Sequence, residues 1–256
     1  MILDRFRLDD KVAIVTGAGR GIGEGCALAF AEMGAHVVCA ARTPEQIEAT
    51  AEKVRALGRR AIAVPCDVMQ TDQLESLVAA AEKEFGRIDV VVNNAGGSPP
   101  KPALETSERM FEKAFHFNVT SAFLLTRLAV PIMRRGGGGS VVNISSAAGR
   151  LVQSGFAAYG TAKAALSFLT KNLGAEFAPD VRVNAIGVGS VATSSLLPYL
   201  SDDLRSAMED ATPMRRLGEV EDIALMALYL ASPASSWVTG KVMEVDGGTE
   251  STNWPY

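Results

Sequence analysis

The chain has 256 residues, 48% of them hydrophobic and 21% charged, a globular balance with enough length to bury a large core. Its formal net charge of −4, without any Lys/Arg cluster, leaves no electrostatic footprint for nucleic acid. The first residues carry charges where a signal peptide needs its apolar stretch, and no uncharged run reaches membrane-span length, so a cytoplasmic protein is expected. Cys26, Cys39 and Cys66 are odd in number, widely spaced and set in apolar sequence, which predicts reduced core thiols. His36 and His116 lack ligand-like neighbours, so packing roles are expected and no metal site.

Taken in order, residues 11–16 (KVAIVT) form a short β-branched run that suits a strand buried on both faces. Glycine punctuation follows, then a helical pattern over 22–33. Residues 35–40 read as a second strand and 44–57 as a helix with Pro44 in its first turn. A third strand spans 61–65, a helix 71–85 and a fourth strand 88–92, followed by a Gly/Pro-rich loop over 93–103. Residues 106–133 read as one long helix, bent near Asn118 or Pro131. Strands are expected at 140–144, 181–186 and 242–245, with helices over 164–177 and 219–231. Strands alternating with helices mean βαβ units. With no repeat and no linker, residues 1–256 are expected to form a single α/β domain, a Rossmann-type doubly wound parallel sheet with helices on both faces.

Between the first strand and first helix lies Thr16-Gly17-Ala18-Gly19-Arg20-Gly21-Ile22-Gly23. Glycines allow a tight turn and close approach of backbone amides to a pyrophosphate, with the helix N-terminus adding partial positive charge. The match is Gly-x-x-x-Gly-x-Gly through Gly17, Gly21 and Gly23, since the more common Gly-x-Gly-x-x-Gly would need glycine at Ile22. At the end of the second strand, Ala40-Ala41-Arg42 offers no carboxylate for ribose hydroxyls and one guanidinium able to grip a phosphate. Arg20 adds a second cation. NADP(H) is the expected cofactor, with NAD(H) as the other possibility.

Further along, Tyr159 and Lys163 stand four residues apart, one helical turn. Lowering a tyrosine from near 10 to near 7 takes about 4 kcal/mol, and one cation at ~4 Å in an effective dielectric of ~20 supplies about that much. The pair is therefore expected to act as a general acid/base near neutrality.

These residues, together with Asp67-Val68 after the third strand, Asn93-Asn94-Ala95-Gly96 after the fourth, Asn118 and Ser145-Ser146 after the fifth, make the whole chain resemble the short-chain dehydrogenases/reductases. The resemblance implies a seven-stranded parallel sheet and a homotetramer. It implies that Tyr159 is the acid/base, that Lys163 lowers its pKa and holds the nicotinamide ribose, and that Ser146 hydrogen-bonds the substrate oxygen. Asn118 would hold a water linking Lys163 to a proton relay. Asp67 and Val68 would contact adenine; Asn94, Ala95 and Gly96 would lie on the adenosine ribose side; Val191 and Thr193 would meet the carboxamide. Gly17, Arg20, Gly21, Ile22, Gly23 and Arg42 complete the expected cofactor set. Val188 stands where the family usually has proline, which predicts a freed amide and a looser turn.

The pocket is expected to be walled by residues 97–100, 147–155 and 194–214, contributing Leu151, Val152, Phe156, Leu196, Leu197, Tyr199 and Met208, which suits an apolar substrate. The details look most like the bacterial hydroxysteroid dehydrogenase branch, with the 3-oxoacyl-thioester reductases next. For the latter, Arg134 and Arg135 would meet an acidic carrier protein. A reading from another class is a dinucleotide-binding protein without turnover.

Overall fold

The computed structural model describes residues 1–194, 196–197 and 200–254. The elements are β1 (Val12–Thr16), α1 (Gly21–Glu32), β2 (His36–Ala41), α2 (Pro44–Ala56), β3 (Ala61–Pro65), α3 (Thr71–Phe85), β4 (Val90–Asn93), α4 (Glu108–Phe115), α5 (Ser121–Arg135), β5 (Gly139–Ser146), α6 (Ala157–Glu176), β6 (Val181–Val188), α7 (Asp202–Ala211), α8 (Val220–Ala231) and β7 (Val242–Val245). The strands form one sheet in the order β3-β2-β1-β4-β5-β6-β7, and every adjacent pair is parallel. The seven-stranded parallel sheet expected from the sequence is thus present.

Alternation along β1 shows how the two layers form. Ala13 and Val15 face a cluster with Phe30 of α1, Ile47 of α2 and Ile223 of α8. Val12 and Ile14 face the opposite cluster, with Leu74 and Leu77 of α3, Leu125 and Met133 of α5 and Leu173 of α6. A strand covered on both faces must be apolar at every position, which is why β1 lacks polar alternation. Burying a side chain such as Phe30, 0% exposed, stabilises by roughly 1.5–3 kcal/mol. Cys26, Cys39 and Cys66 are free thiols in these layers, and burial pushes them up to about 12, 12 and 11.

Three local features refine or correct the sequence reading. The long helix expected over 106–133 is present as an unbroken helical run over 108–135, with its irregularity at Asn118. Between α4 and α5 lies a single π turn, His116–Thr120, centred on Asn118. The Asn118 amide donates to the Ala114 carbonyl at 2.8 Å and to the Gly97 carbonyl at 3.1 Å, competing with the regular helical ladder. Pro131, by contrast, lies inside α5 without ending it. Residues 202–211, given no element from the sequence, are helical, capped by Ser201, whose hydroxyl accepts from the Leu204 amide at 3.2 Å, with Asp202 and Asp203 in the first turn. Contrary to expectation, Val188 does not loosen a turn. It continues β6 between Ser146 of β5 and Val245 of β7, buried, where a β-branched residue with a free amide suits the ladder. Among the described residues, no helix is long and apolar enough to cross a membrane.

Candidate active site

The carboxyl ends of β1, β4, β5 and β6 open into one cleft of about 510 Å³. Strand order reverses between β1 and β4, so the crossover helices leave on opposite faces and a crevice opens between them. Its edges are stitched by Thr16. The Thr16 hydroxyl accepts from the Asn94 and Ala95 amides at 3.0 and 3.1 Å, and the Asn94 side chain donates back to the Thr16 carbonyl at 2.8 Å.

One half of the cleft is lined by Gly17, Arg20, Gly21, Ile22, Arg42, Asp67, Val68, Asn94, Ala95 and Gly96. Arg20 precedes α1 without a side-chain cap, so the first amides of that helix face the cleft with their partial positive charge. Gly23, expected among the cofactor contacts, does not line it. A Cβ there would come within 2.2 Å of the Gly17 carbonyl oxygen, so its glycine lets the helix close onto the loop. The Arg20 and Arg42 side chains are exposed, and neither forms an ion pair among the described residues. Asp67 is partly committed, its carboxylate accepting from the Met69 amide at 3.0 Å.

The other half holds Ser146, Tyr159, Lys163, Val191 and Thr193. Ser146 is the last residue of β5, and Tyr159 and Lys163 sit one turn apart in α6. Lys163 is 4% exposed; its ammonium donates to the Ile144 carbonyl at 2.7 Å and lies 5.7 Å from the centre of the Tyr159 ring. An ammonium has three donors, and one carbonyl uses one of them. The remaining capacity faces the cleft and suits ribose hydroxyls. Gly96 is what allows this arrangement. A Cβ at 96 would meet the Asn118 carbonyl oxygen at 2.7 Å and the Lys163 nitrogen at 3.1 Å. Asn118 itself lies behind the wall, its carbonyl oxygen accepting from the Gly97 amide at 2.8 Å. Uncapped helix amides, a glycine floor and a buried cation together form a donor set that fits a nicotinamide dinucleotide.

The electrostatics depart from the expectation that Lys163 depresses the tyrosine. Burial raises the Tyr159 phenol above its ordinary value, and hydrogen bonding with Ser146 only partly offsets that rise. Burial also pushes the Lys163 ammonium down to about 7. Both groups are desolvated together, so each charged form loses more hydration than the pair recovers.

The pocket wall is met in part. Leu151, Phe156 and Leu196 line the cleft, whereas Val152 is 93% exposed, Leu197 is 42% exposed and outside the lining, and Met208 is wholly buried. Tyr199 lies outside the described residues. Gln153, inside the expected 147–155 wall, also lines the cleft, whereas sequence reasoning missed Phe117, Thr249, Asn253 and Trp254. The last three come from the chain's end, and no local pattern points to them.

The Lys163 shift carries a signed consequence. Between about pH 7 and the ordinary lysine value of 10.5 the unfolded chain binds the extra proton, so stability from this group rises with pH across that window. Lys163→Met removes a buried ammonium, so its thermal midpoint should exceed wild type most at pH 7 and below. The gap should shrink toward pH 10.5; a pH-independent gap contradicts the assignment.

Residues 17–250 match the family model described as enoyl-(acyl carrier protein) reductase. An uncharacterized oxidoreductase of Mycobacterium tuberculosis is 53% identical over 99% of this chain and 97% of its own length. The 7alpha-hydroxysteroid dehydrogenase of Escherichia coli K12 is 38% identical, covering 96% of both. A solved 7alpha-hydroxysteroid dehydrogenase in complex with NADH and 7-oxo glycochenodeoxycholic acid superposes with a TM-score of 0.94 at 38% identity, over 96% of this chain and 97% of that one. With these matches over nearly its whole length, the chain belongs to the short-chain dehydrogenase/reductase family and is an oxidoreductase.

Proposed function

We propose that this protein interconverts a secondary alcohol and a ketone on an apolar substrate such as a hydroxysteroid, using a nicotinamide dinucleotide. The observation that carries the reading is the meeting of Ser146, Tyr159 and Lys163 in the same cleft as the glycine loop. When bound, the dinucleotide supplies or accepts the hydride. Tyr159 gives a proton to the carbonyl oxygen in reduction and takes it back in oxidation, and Ser146 donates a hydrogen bond to the same oxygen. Lys163 holds the ribose, and Asn118 supports a water relay leading from it. A raised phenol is protonated at neutral pH, the form that carbonyl reduction requires. Leu151, Phe156, Leu196 and Trp254 in the wall support an apolar substrate, as does the likeness to 7alpha-hydroxysteroid dehydrogenase. The same reading includes a single domain working in the cytoplasm.

For the cofactor we infer a preference for NADP(H), with NAD(H) also accepted. Arg20 and Arg42 rim the adenosine half, and β2 ends in Ala41 where a carboxylate would repel a 2′-phosphate. The solved relative holding NADH is the counterweight.

A second reading, 3-oxoacyl-thioester reduction, draws on the description of the matching family model. The cations expected to meet a carrier are already paired, Arg134 with Asp180 at 3.1 Å and Arg135 with Glu82 at 2.6 Å. They also end α5 next to the start of β5, at the opposite end of the strands from the cleft. We therefore favour the alcohol/ketone reading. The third reading, binding without turnover, leaves the Ser146, Tyr159 and Lys163 grouping without a purpose.

Three experiments follow. Tyr159→Phe should abolish turnover of steroid ketones while dinucleotide affinity stays within a few-fold; equal turnover in both proteins sinks the acid/base role. Arg42→Ala should weaken NADPH at least about tenfold more than NADH, the scale of one lost charge-assisted contact. Equal losses contradict the NADP(H) preference. A homotetramer assembled over the apolar residues Met110, Phe111, Phe123 and Phe168 of α4, α5 and α6, each 36–63% exposed, is the expected state. Light scattering that returns a monomer mass at micromolar concentration rules it out.

A further inference from the structure

A chain terminus ordinarily frays unless something ties it down. Here residues 249–254 are tied at four places. Arg150, in the turn that follows Ser146, donates to the Thr249 carbonyl at 2.7 Å and pairs with Glu244, Asp246 and Glu250 at 3.0, 3.0 and 3.1 Å. Gln153 donates to the Thr252 hydroxyl at 2.9 Å. The Ser190 hydroxyl, in the loop after β6, donates to the Asn253 carbonyl oxygen at 2.9 Å. The Asn253 amide donates in turn to the Thr212 hydroxyl at 3.0 Å, at the end of α7. Asn253 and Thr212 are 8% and 3% exposed, so these bonds form away from competing water.

The ties deliver Trp254 to the cleft. Its ring meets Phe156 edge-on, with centroids 5.8 Å apart and planes at 85°. Phe156 in turn tilts against Tyr159 at 5.9 Å and 60°. A ladder of three rings therefore runs from the tail to the phenol, in geometries that aromatic pairs favour.

We propose that Trp254, set by the tail, is a specificity-determining residue: it forms the far wall of the substrate pocket and selects rigid multi-ring ketones over small ones. The inference rests on the alcohol/ketone reading above. In this proposal Phe156 lies between a carbonyl held at Tyr159 and Trp254, so a single-ring ketone stays short of the wall. A fused-ring ketone extends along the ladder and buries apolar area against both rings, with no rotamer freedom of its own to lose. Asn253 and Arg150 are positioning residues that act through the tail.

The test compares a steroid ketone with cyclohexanone at saturating dinucleotide. Trp254→Ala should raise KM for the steroid about tenfold, the loss of one aromatic contact, with kcat within about twofold. Its kcat/KM for cyclohexanone should stay within about twofold, and Trp254→Phe should recover most of the steroid KM. Asn253→Ala should give the same split in smaller measure, while thermal unfolding shows the variants folded. Equal changes for both ketones, or no change for either, overturn the wall. Equilibrium dialysis of labelled steroid against the dinucleotide-loaded protein reads the wall without turnover. Wild type that binds steroid but turns over neither ketone defeats the functional reading alone. Wild type that fails to retain steroid, or Trp254→Ala that retains it as well as wild type, defeats the wall.

Discussion

The arrangement of the cleft depends on one buried cation. Lys163 lies beneath the surface with the Ile144 carbonyl as its hydrogen-bond partner among the described residues. Placing an ammonium there costs several kcal/mol unless oxygen ligands restore what water supplied. The fold answers by clearing space around it. Gly96 removes the side chain that would fill the approach, and the π turn at Asn118 pins the backbone of Gly97 so that the floor stays open. Each of these features is a local loss of regularity. Each makes sense as part of a socket for hydroxyl groups that complete the cation's shell.

The sheet supplies the rigidity that such a socket requires. β5 delivers Ile144 and Ser146 from one strand, and β6 runs alongside it as far as Val188, opposite Ser146 itself. Ser146 is thus held in register by paired backbone up to its own position. Thr16 and Asn94 perform the same service where β1 and β4 diverge. Loops then need to be ordered only where they meet a ligand.

How far the sequence could be read follows from the range of the interactions. The sheet and the glycine loop were legible because their signals are local: a β-branched run, a glycine spacing, a helix that follows. The glycine-loop half of the cleft is built from strand ends, so Gly17, Arg20, Arg42, Asp67 and Asn94 could be placed along its lining from local signals, whereas Gly23 serves packing and Gly19, Thr43, Gln46 and Cys66, which also line it, carried no such signal. α7 has a legible cap in Ser201-Asp202-Asp203 within the stretch read only as pocket wall. The tail could not be read. Arg150 and Glu250 are 100 residues apart in sequence, Gln153 and Thr252 99, Ser190 and Asn253 63. Nothing in the local pattern around Asn253 reports partners at that distance. The misjudged electrostatics have a related cause, since spacing gives the distance between Tyr159 and Lys163 but not the depth at which both are buried.

That depth bears on the direction of chemistry. In an exposed pair the ammonium would dominate and the tyrosine would ionise first. In a desolvated pair both charges are penalised, the phenol keeps its proton and the amine holds its own weakly. The result is a site poised as an acid until something arrives to stabilise charge within it. Oxygen ligands at Lys163 would raise the ammonium again, and a fully charged ammonium would then draw the phenol down. Acid strength at Tyr159 is therefore not fixed by the Tyr159-x-x-x-Lys163 spacing. On the proposed reading it would also depend on what occupies the neighbouring socket, which would couple the two halves of the cleft.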